Sequence, residues 1–321
     1  MTVTRRALLT AAATGVAFGA RAQGTYPNRV IRIIVPAGPG GPTDVFARLV
    51  AQRMSATLGK DVIIENRAGA NGTIGAAYVA KSPPDGLTML IVPAGYAANP
   101  ALYKALPYDQ SKDLAPVSHL ASGPLVLVVH PSLPAKNVME VIAIGKARPG
   151  ELAFASQGQG TLSHLEQEML KQMGGFKALH VPYKGSAPGL SDLIPGNVQL
   201  FFDSIPSSMP HIKSGRLRAI GVASSKRSPV MPDVPAINES LKGFEADSWF
   251  GIMMPAGTPR EIVIKFNAEA QKILATQDVK ERLLSQGGVP GGGGPEVLAE
   301  RVKADVAKWG KVAKTAGVKI E

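Results

Sequence analysis

Along this chain, short continuous apolar runs alternate with stretches in which apolar residues recur every three or four positions. The runs RVIRIIVP, DVIIEN, LTMLIVP, PLVLVVH, ELAFAS, KALHVPY, VQLFFDS and LRAIGVAS read as strands. Between them, TDVFARLVAQRMSATLG puts Val45, Phe46, Leu49, Val50, Met54 and Leu58 on one helical face. TIGAAYVAKS, NVMEVIAIGKAR, TLSHLEQEMLKQM, APGLSDLI and SMPHIKSG read as further helices, and the C-terminal part is rich in them. Strand–helix alternation with nearly continuous apolar strands predicts α/β architecture with mostly parallel sheets covered on both faces. Two segments stand out as crossings between domains, HLASGPLVLVV near Ser122-Gly123-Pro124 and EADSWFGIMMPAG near Ser248. Two crossings make the first domain discontinuous: residues 23–123 with 249–321 form one domain and 124–248 the other, around a cleft that closes by hinge motion.

The strand ends carry the candidate chemistry. IIVPAGPGGPTDVF joins a strand to a helix through a loop of Gly and Pro, with N–H groups expected to be free at Gly40, Gly41, Thr43 and Asp44. Thr43 reads as the helix N-cap and Asp44 as a first-turn carboxylate. The loop has neither the GK[ST] ending of a P-loop nor a GxGxxG spacing, which argues against a nucleotide site. The design recurs in IIENRAGANGTIGAA, LIVPAGYAANPALY, LAFASQGQGTLSHLEQ and LFFDSIPSSMP. In open α/β sheets ligands bind beyond the carboxyl ends of the strands, so these Gly-, Ser-, Thr- and Asn-rich ends predict one polar cleft for an anion.

The N-terminus alters the count of folded residues. MTVTRRALLTAAATGVAFGARA has a basic start, a short apolar run and an Ala20-Arg21-Ala22 ending, which predicts an export signal over 1–22 cleaved before Gln23, with Arg5-Arg6 compatible with a twin-arginine route. The remaining 299 residues (321 − 22) suffice for two domains. The formal charge of +11 falls to +8 without Arg5, Arg6 and Arg21. Lysines and arginines form no run longer than two and aromatics are sparse, so nucleic-acid binding is not expected. With no cysteine, thiol catalysis and cysteinyl metal sites are excluded.

Catalytic spacing is lacking. Ser163 and His164 are neighbours, which a helix separates by about 100°, and GTLSHL is not GxSxG. The histidines at 119, 130, 164, 180 and 211 have no metal-binding spacing. An exported α/β hydrolase and a ligand-loaded partner of a sensor kinase or chemoreceptor stand as the alternatives to a binding protein.

The ordered segments YPNRVIRIIVPAGPGGPTDVFARLVAQRMSATLG, IIENRAGANGTIGAAYVAKSPPDGLTML, NPALYKALPYD, LAPVSHLASGPLVLVVHPSLPAKNV, HVPYKGSAPGLSDLIPGNVQLFFDSIPSSMPHIKSGRLRAIGVASSKRSP and SWFGIMMPAGTP span most of the chain. Together they resemble the Bug-type periplasmic solute-binding proteins of tripartite tricarboxylate transporters. The resemblance implies a two-domain, type II-like periplasmic-binding-protein fold with an interdomain cleft, and a monomeric receptor rather than an enzyme, without cofactor or metal. Its partners would be a small organic carboxylate and a membrane permease. It also implies that backbone amides, hydroxyls and bridging water grip the carboxylate at Gly40, Gly41, Thr43, Asp44, Asn71, Gly72 and Thr73. Across the cleft it points to Ser156, Gly160, Thr161, Ser163, His164, Tyr183 and Asp203. The chain departs from the family pattern at Ala37, where an aromatic is usual, at Pro42, where a small residue is usual, and at Leu162, where a small polar residue is common. Ala37 and Leu162 suggest room for an aromatic or medium-chain mono- or dicarboxylate.

Overall fold

The computed structural model describes residues 26–320; the expected export signal and cleavage site lie outside them. The chain begins β1 (Ile31–Val35), α1 (Pro42–Leu58), β2 (Val62–Asn66), α2 (Thr73–Ala80), β3 (Thr88–Pro93), α3 (Asn99–Leu102) and β4 (Leu114–Gly123). It continues through β5 (Leu125–Val129), α4 (Val138–Ala147), β6 (Ala153–Ser156), α5 (Leu162–Gly174), β7 (Leu179–Pro182) and α6 (Ser186–Leu193). Then come β8 (Leu200–Ser204), α7 (Ile205–Lys213), β9 (Arg218–Val222), α8 (Ile237–Ser240) and β10 (Ser248–Pro255). The last elements are α9 (Arg260–Ala275), α10 (Gln277–Ser285), β11 (Val289–Pro290) and α11 (Pro295–Ala316).

Two sheets result. The first has the order β11-β4-β10-β3-β1-β2 and the second β7-β6-β8-β5-β9. The chain leaves the first sheet at Pro124, between β4 and β5, and returns to it with β10. The sheets are mixed, which corrects the expectation of mostly parallel pairing. β1 pairs in parallel with β2 and β3, and β6 with β7 and β8. By contrast, β10 runs antiparallel to β3 and β4, β11 to β4, and β5 to β8 and β9. The reason lies in the connections. Parallel neighbours require a helical crossover, whereas β4 and β5 carry the chain directly from the first sheet to the second and β10 brings it back after α8, and these strands enter against their neighbours.

Periodicity translates into burial as the side-chain geometry of each element demands. In β1, Ile31 and Ile33 pack with Phe46, Val50 and Met54 of α1, whereas Ile34 turns to the opposite core. That opposite core takes residues from both sheets, including Leu90 and Val92 of β3, Leu127 of β5, Phe154 of β6 and Phe202 of β8. Trp249 of β10 and Trp309 of α11 are both fully buried in it. The Trp249 indole donates to Asp305 of α11 at 2.7 Å, and Gln172 of α5 donates to the Val312 carbonyl at 2.9 Å. Thus α11 packs on both halves of the molecule. Among the described residues no helix is long and apolar enough to cross a membrane.

Candidate functional site

A cavity of about 530 Å³ lies between the two sheets, at the carboxyl ends of the parallel strands. From the first sheet come the β1–α1 loop, the turn before α2, Gly95 and Tyr96 after β3, the end of β4 and the start of β10. The second sheet contributes Gln157, Thr161, Leu162, Gly185 and the Ser204–Ser207 turn. Gln286, Gly287 and Gly288, after α10, close the rim.

Five helices begin here. The N-caps of α1, α2, α5, α6 and α7 are Gly41, Gly72, Thr161, Gly185 and Ser204, and none makes a side-chain capping hydrogen bond. Four of these caps line the cavity, and Gly41 sits between lining residues Gly40 and Pro42. The first turn of a helix has N–H groups that no carbonyl of its own helix reaches, and it carries roughly half a positive charge. Three glycine caps have no side chain to satisfy them. The Thr161 hydroxyl donates instead to the Gly158 carbonyl at 2.8 Å, and that of Ser204 to Ser207 at 2.8 Å. Positive N–H ends therefore converge on one space with few competing acceptors. Among the described residues, no Lys, Arg, His, Asp or Glu lines it. An anion entering it meets dipoles rather than fixed charges.

The remaining wall is apolar. Phe46 and Phe250 line it with their rings stacked at 5.4 Å. Ala37, Val45, Leu125, Leu162 and Ile205 add further apolar surface.

Of the residues singled out from sequence, Gly40, Thr43, Asn71, Gly72 and Thr161 line the cavity. The cap of α1 is Gly41 with Pro42 in its first turn, so Thr43 is not the N-cap; the proline ring pre-sets the helical φ one residue earlier. The Gly40 N–H is not free either, because it donates to Asp44 at 3.0 Å. Asp44 is buried beneath the loop and also accepts from Arg48 (2.9 Å) and Asn66 (2.8 Å). The Arg48 hydrogen bond is the main cause holding its carboxyl down at about 2, against the cost of burial. Asp44 thus fixes the loop shape from behind. Gly40 needs its φ of +81° and Gly72 its +85°, which L side chains adopt at a cost.

Asn71, itself at φ +49°, ties the two halves together. Its amide donates to the fully buried Asn99 at 2.8 Å and to the Gly160 carbonyl, before α5, at 3.3 Å. Thr73 turns away, donating to the Ala70 carbonyl at 2.9 Å.

In the second half most of the named side chains support the wall rather than form it. Ser163 donates to the Phe202 carbonyl. His164 Nδ1 accepts from the Gly160 N–H at 3.0 Å, and its ring stacks on His180 at 3.7 Å. Ser156 shares a 2.7 Å hydrogen bond with His180, and the Tyr183 hydroxyl donates to Asp192 at 2.6 Å. Ser163 and His164 therefore have separate partners, consistent with their helical spacing. Asp203 is fully buried and accepts from Gln157 (2.9 Å), Ser186 and Ser208 (2.8 Å), while burial pushes its carboxyl up. It holds Gln157, which does reach the cavity.

Sequence reasoning did not single out Phe46, Phe250, Gln157, Ser122, Ser207, Ser248 or Gln286 as site residues. The available signal was the pair of crossing segments, since the ends of β4 and β10 meet at the cavity.

A mixed α/β pair of sheets joined by crossing strands, around an uncharged space ringed by helix N-termini, defines the class of solute-binding proteins. Residues 46–318 match the model of the tripartite tricarboxylate transporter family receptor, and the chain belongs to that family. It is 38% identical over 300 residues to Protein BugT of Bordetella pertussis, covering 92% of each chain. A structure of R. palustris Rpa4515 with adipate superimposes with a TM-score of 0.82 at 40% identity, over 92% of this chain and 99% of that one. MatC (Rpa3494) from Rhodopseudomonas palustris, with bound malate, gives 0.79 at 35% identity over 89% and 99%.

Proposed function

We propose that this protein captures a small organic carboxylate in the cavity between its sheets and delivers it, in the periplasm, to a tripartite tricarboxylate-type membrane transporter. The observation that carries this reading is the convergence of five uncapped helix N-termini on an uncharged cavity. One carboxylate is held by the first turns of α1 and α2 from one side and those of α5, α6 and α7 from the other. Residues 23–123 with 249–321 act as one lobe and 124–248 as the other, after removal of an export signal over 1–22. Family membership, and the adipate and malate bound by similar proteins, support the same ligand class. The apolar body around Phe46, Phe250 and Leu162 favours an aromatic or medium-chain acid.

Mass spectrometry of the ligand released from denatured protein, followed by calorimetry with that compound, tests the reading. A thermal-shift panel of aromatic carboxylates, C4–C8 dicarboxylates, citrate, aspartate and glutamate tests the ligand type. At a hundred times its dissociation constant a ligand adds about 2.7 kcal/mol, a shift on the order of several degrees for a chain of this size. A shift with citrate, aspartate or glutamate alone overturns the aromatic or medium-chain preference. Turnover of an ester or amide by the purified protein overturns the receptor reading.

A further inference from the structure

In a cavity ringed by hydrogen-bond donors, one side chain offers an acceptor. Gln157 follows directly on β6, and Asp203 lies near the end of β8, beside Ser204. The two strands pair in parallel with Ala155 opposite Phe201, and that register carried two residues further sets Gln157 next to Asp203. The side-chain nitrogen Nε2 of Gln157 donates to Asp203 at 2.9 Å and to the Ser186 hydroxyl at 3.1 Å. Its main-chain carbonyl accepts from the N–H of Gly185, the N-cap of α6, at 3.1 Å. The residue is pinned through both its main chain and its side chain.

Asp203 decides which way round the amide lies. Its carboxylate is fully buried and is engaged by donors from Gln157, Ser186 and Ser208. A glutamine oxygen turned towards it would set acceptor against acceptor, where burial makes the repulsion costly. The Ser186 hydroxyl has spent its hydrogen on Asp203, so it too can only accept from Gln157. Both neighbours therefore demand the N–H2 side, and the oxygen Oε1 is left over. Among the described residues Oε1 has no hydrogen-bond partner, and it is not one of the sealed-off polar atoms. Gln157 is half-buried and lines the cavity together with Gly185 and Ser204, so the open oxygen is presented to that space.

This alters what the second half of the cavity accepts. The N–H groups at the starts of α5, α6 and α7 receive an oxygen, whereas Oε1 receives only a hydrogen. A second ionised carboxylate has none to give. An ammonium has, but it would sit among positive helix ends with no acid lining the cavity among the described residues. A hydroxyl meets both demands, because it donates to Oε1 while its own oxygen takes an N–H.

We propose that Gln157, held in one orientation by Asp203, selects a carboxylate that also carries a hydroxyl, a proposal that rests on the carboxylate reading above. Gln157 touches the hydroxyl, and Asp203 is a positioning residue. Calorimetry on the full chain with three matched pairs tests it: malate and succinate, 4-hydroxybenzoate and benzoate, 6-hydroxyhexanoate and hexanoate. In at least one pair the hydroxy acid should bind about tenfold or more tightly than its partner, because a site built to hydrogen-bond a hydroxyl rejects the analogue lacking it. Gln157→Leu should bring that ratio close to one. Asp203→Asn gives Gln157 an N–H2 as well as a carbonyl to face, so the amide can turn over and the ratio should fall there too. A ratio taken within one variant does not move with a general loss of stability, and thermal melts show which variant is folded. Equal binding within every pair that binds, or an undiminished ratio in folded Gln157→Leu, overturns the selection. An undiminished ratio in folded Asp203→Asn overturns the positioning by Asp203. Failure of all six acids to bind overturns the carboxylate reading itself, a result distinct from binding without preference.

Discussion

At the scale of single residues, the functional loops are shaped by side chains that never touch the cavity. Asp44 is the clearest case. Its carboxyl sits at about 2 in the folded chain against an ordinary 3.8, chiefly through Arg48. A depressed carboxylate contributes stability that is present above the unfolded value and is lost as pH falls from about 4 through 2. Asp44→Asn should therefore cost on the order of 2 kcal/mol at neutral pH, with the loss shrinking towards pH 2 in urea titrations. An unchanged acid limb would show that Arg48 and Asn66 do not hold the loop through this group. Asn71 belongs to the same scale. Asn71→Ala removes the hydrogen bonds to Asn99 and Gly160 and places alanine at a positive φ. It should weaken carboxylate binding about tenfold or more, at roughly 1–2 kcal/mol of stability for the stranded Asn99 amide. Calorimetry and denaturant midpoints read the two effects separately.

At the scale of elements, α5 carries an unexpected burden. Its side chains at Glu166 and Gln167 are fully buried, and the carboxylate and amide atoms of both lack hydrogen-bond partners among the described residues. Burial pushes the Glu166 carboxyl well up; Asp247 adds to this and Lys308 opposes it. A carboxyl raised above its unfolded value of 4.5 favours the folded state below that pH, and the benefit is lost as pH rises. Glu166→Gln keeps the shape without that ionisation cost. It should raise the melting temperature at pH 7.5, and the gain should fade towards pH 4.5. A lower melting temperature at pH 7.5 would mean that the carboxylate finds a partner in solution. The periodic pattern marked α5 as helical, yet it could not show that both its acidic positions, Glu166 and Glu168, are buried, since HLEQEML reads as a half-solvated helix.

For the whole molecule, two motions of charge and shape follow. His119 and His180 are held at about 4 and about 3, in each case mainly by burial, with Arg301 opposing protonation of the first and His164 that of the second. A histidine depressed in this way is neutral when folded and takes up its proton on unfolding. Stability should therefore fall as pH drops from 6.5 towards 4, before most carboxylates titrate. Asparagine at either position should flatten that part of the curve. The second motion is closure. A carboxylate gripped from both sheets favours the closed form only by its differential affinity for it. Small-angle scattering should show a smaller radius of gyration with saturating ligand. An unchanged profile, with binding confirmed by calorimetry, would count against a clamp.

Element identity, strand-end loops and the anion-receptive glycine turns were determined by the sequence alone, because periodicity, helix-start chemistry and glycine placement are local properties. Val50 and Met54 of α1 face the core for that reason, and Gly72 needs no long-range contact to prefer its conformation. Tertiary structure decided the rest. Whether β4, β5 and β10 run with or against their neighbours depends on which sheet each joins, and no local pattern encodes that. Which hydroxyls face the cavity was equally undetermined: Ser207 and Ser248 line it, whereas Ser163 is spent on the Phe202 carbonyl. Five helix N-termini meet in one space only because two sheets are set with their strand ends facing, and that arrangement is a property of packing between residues up to two hundred positions apart.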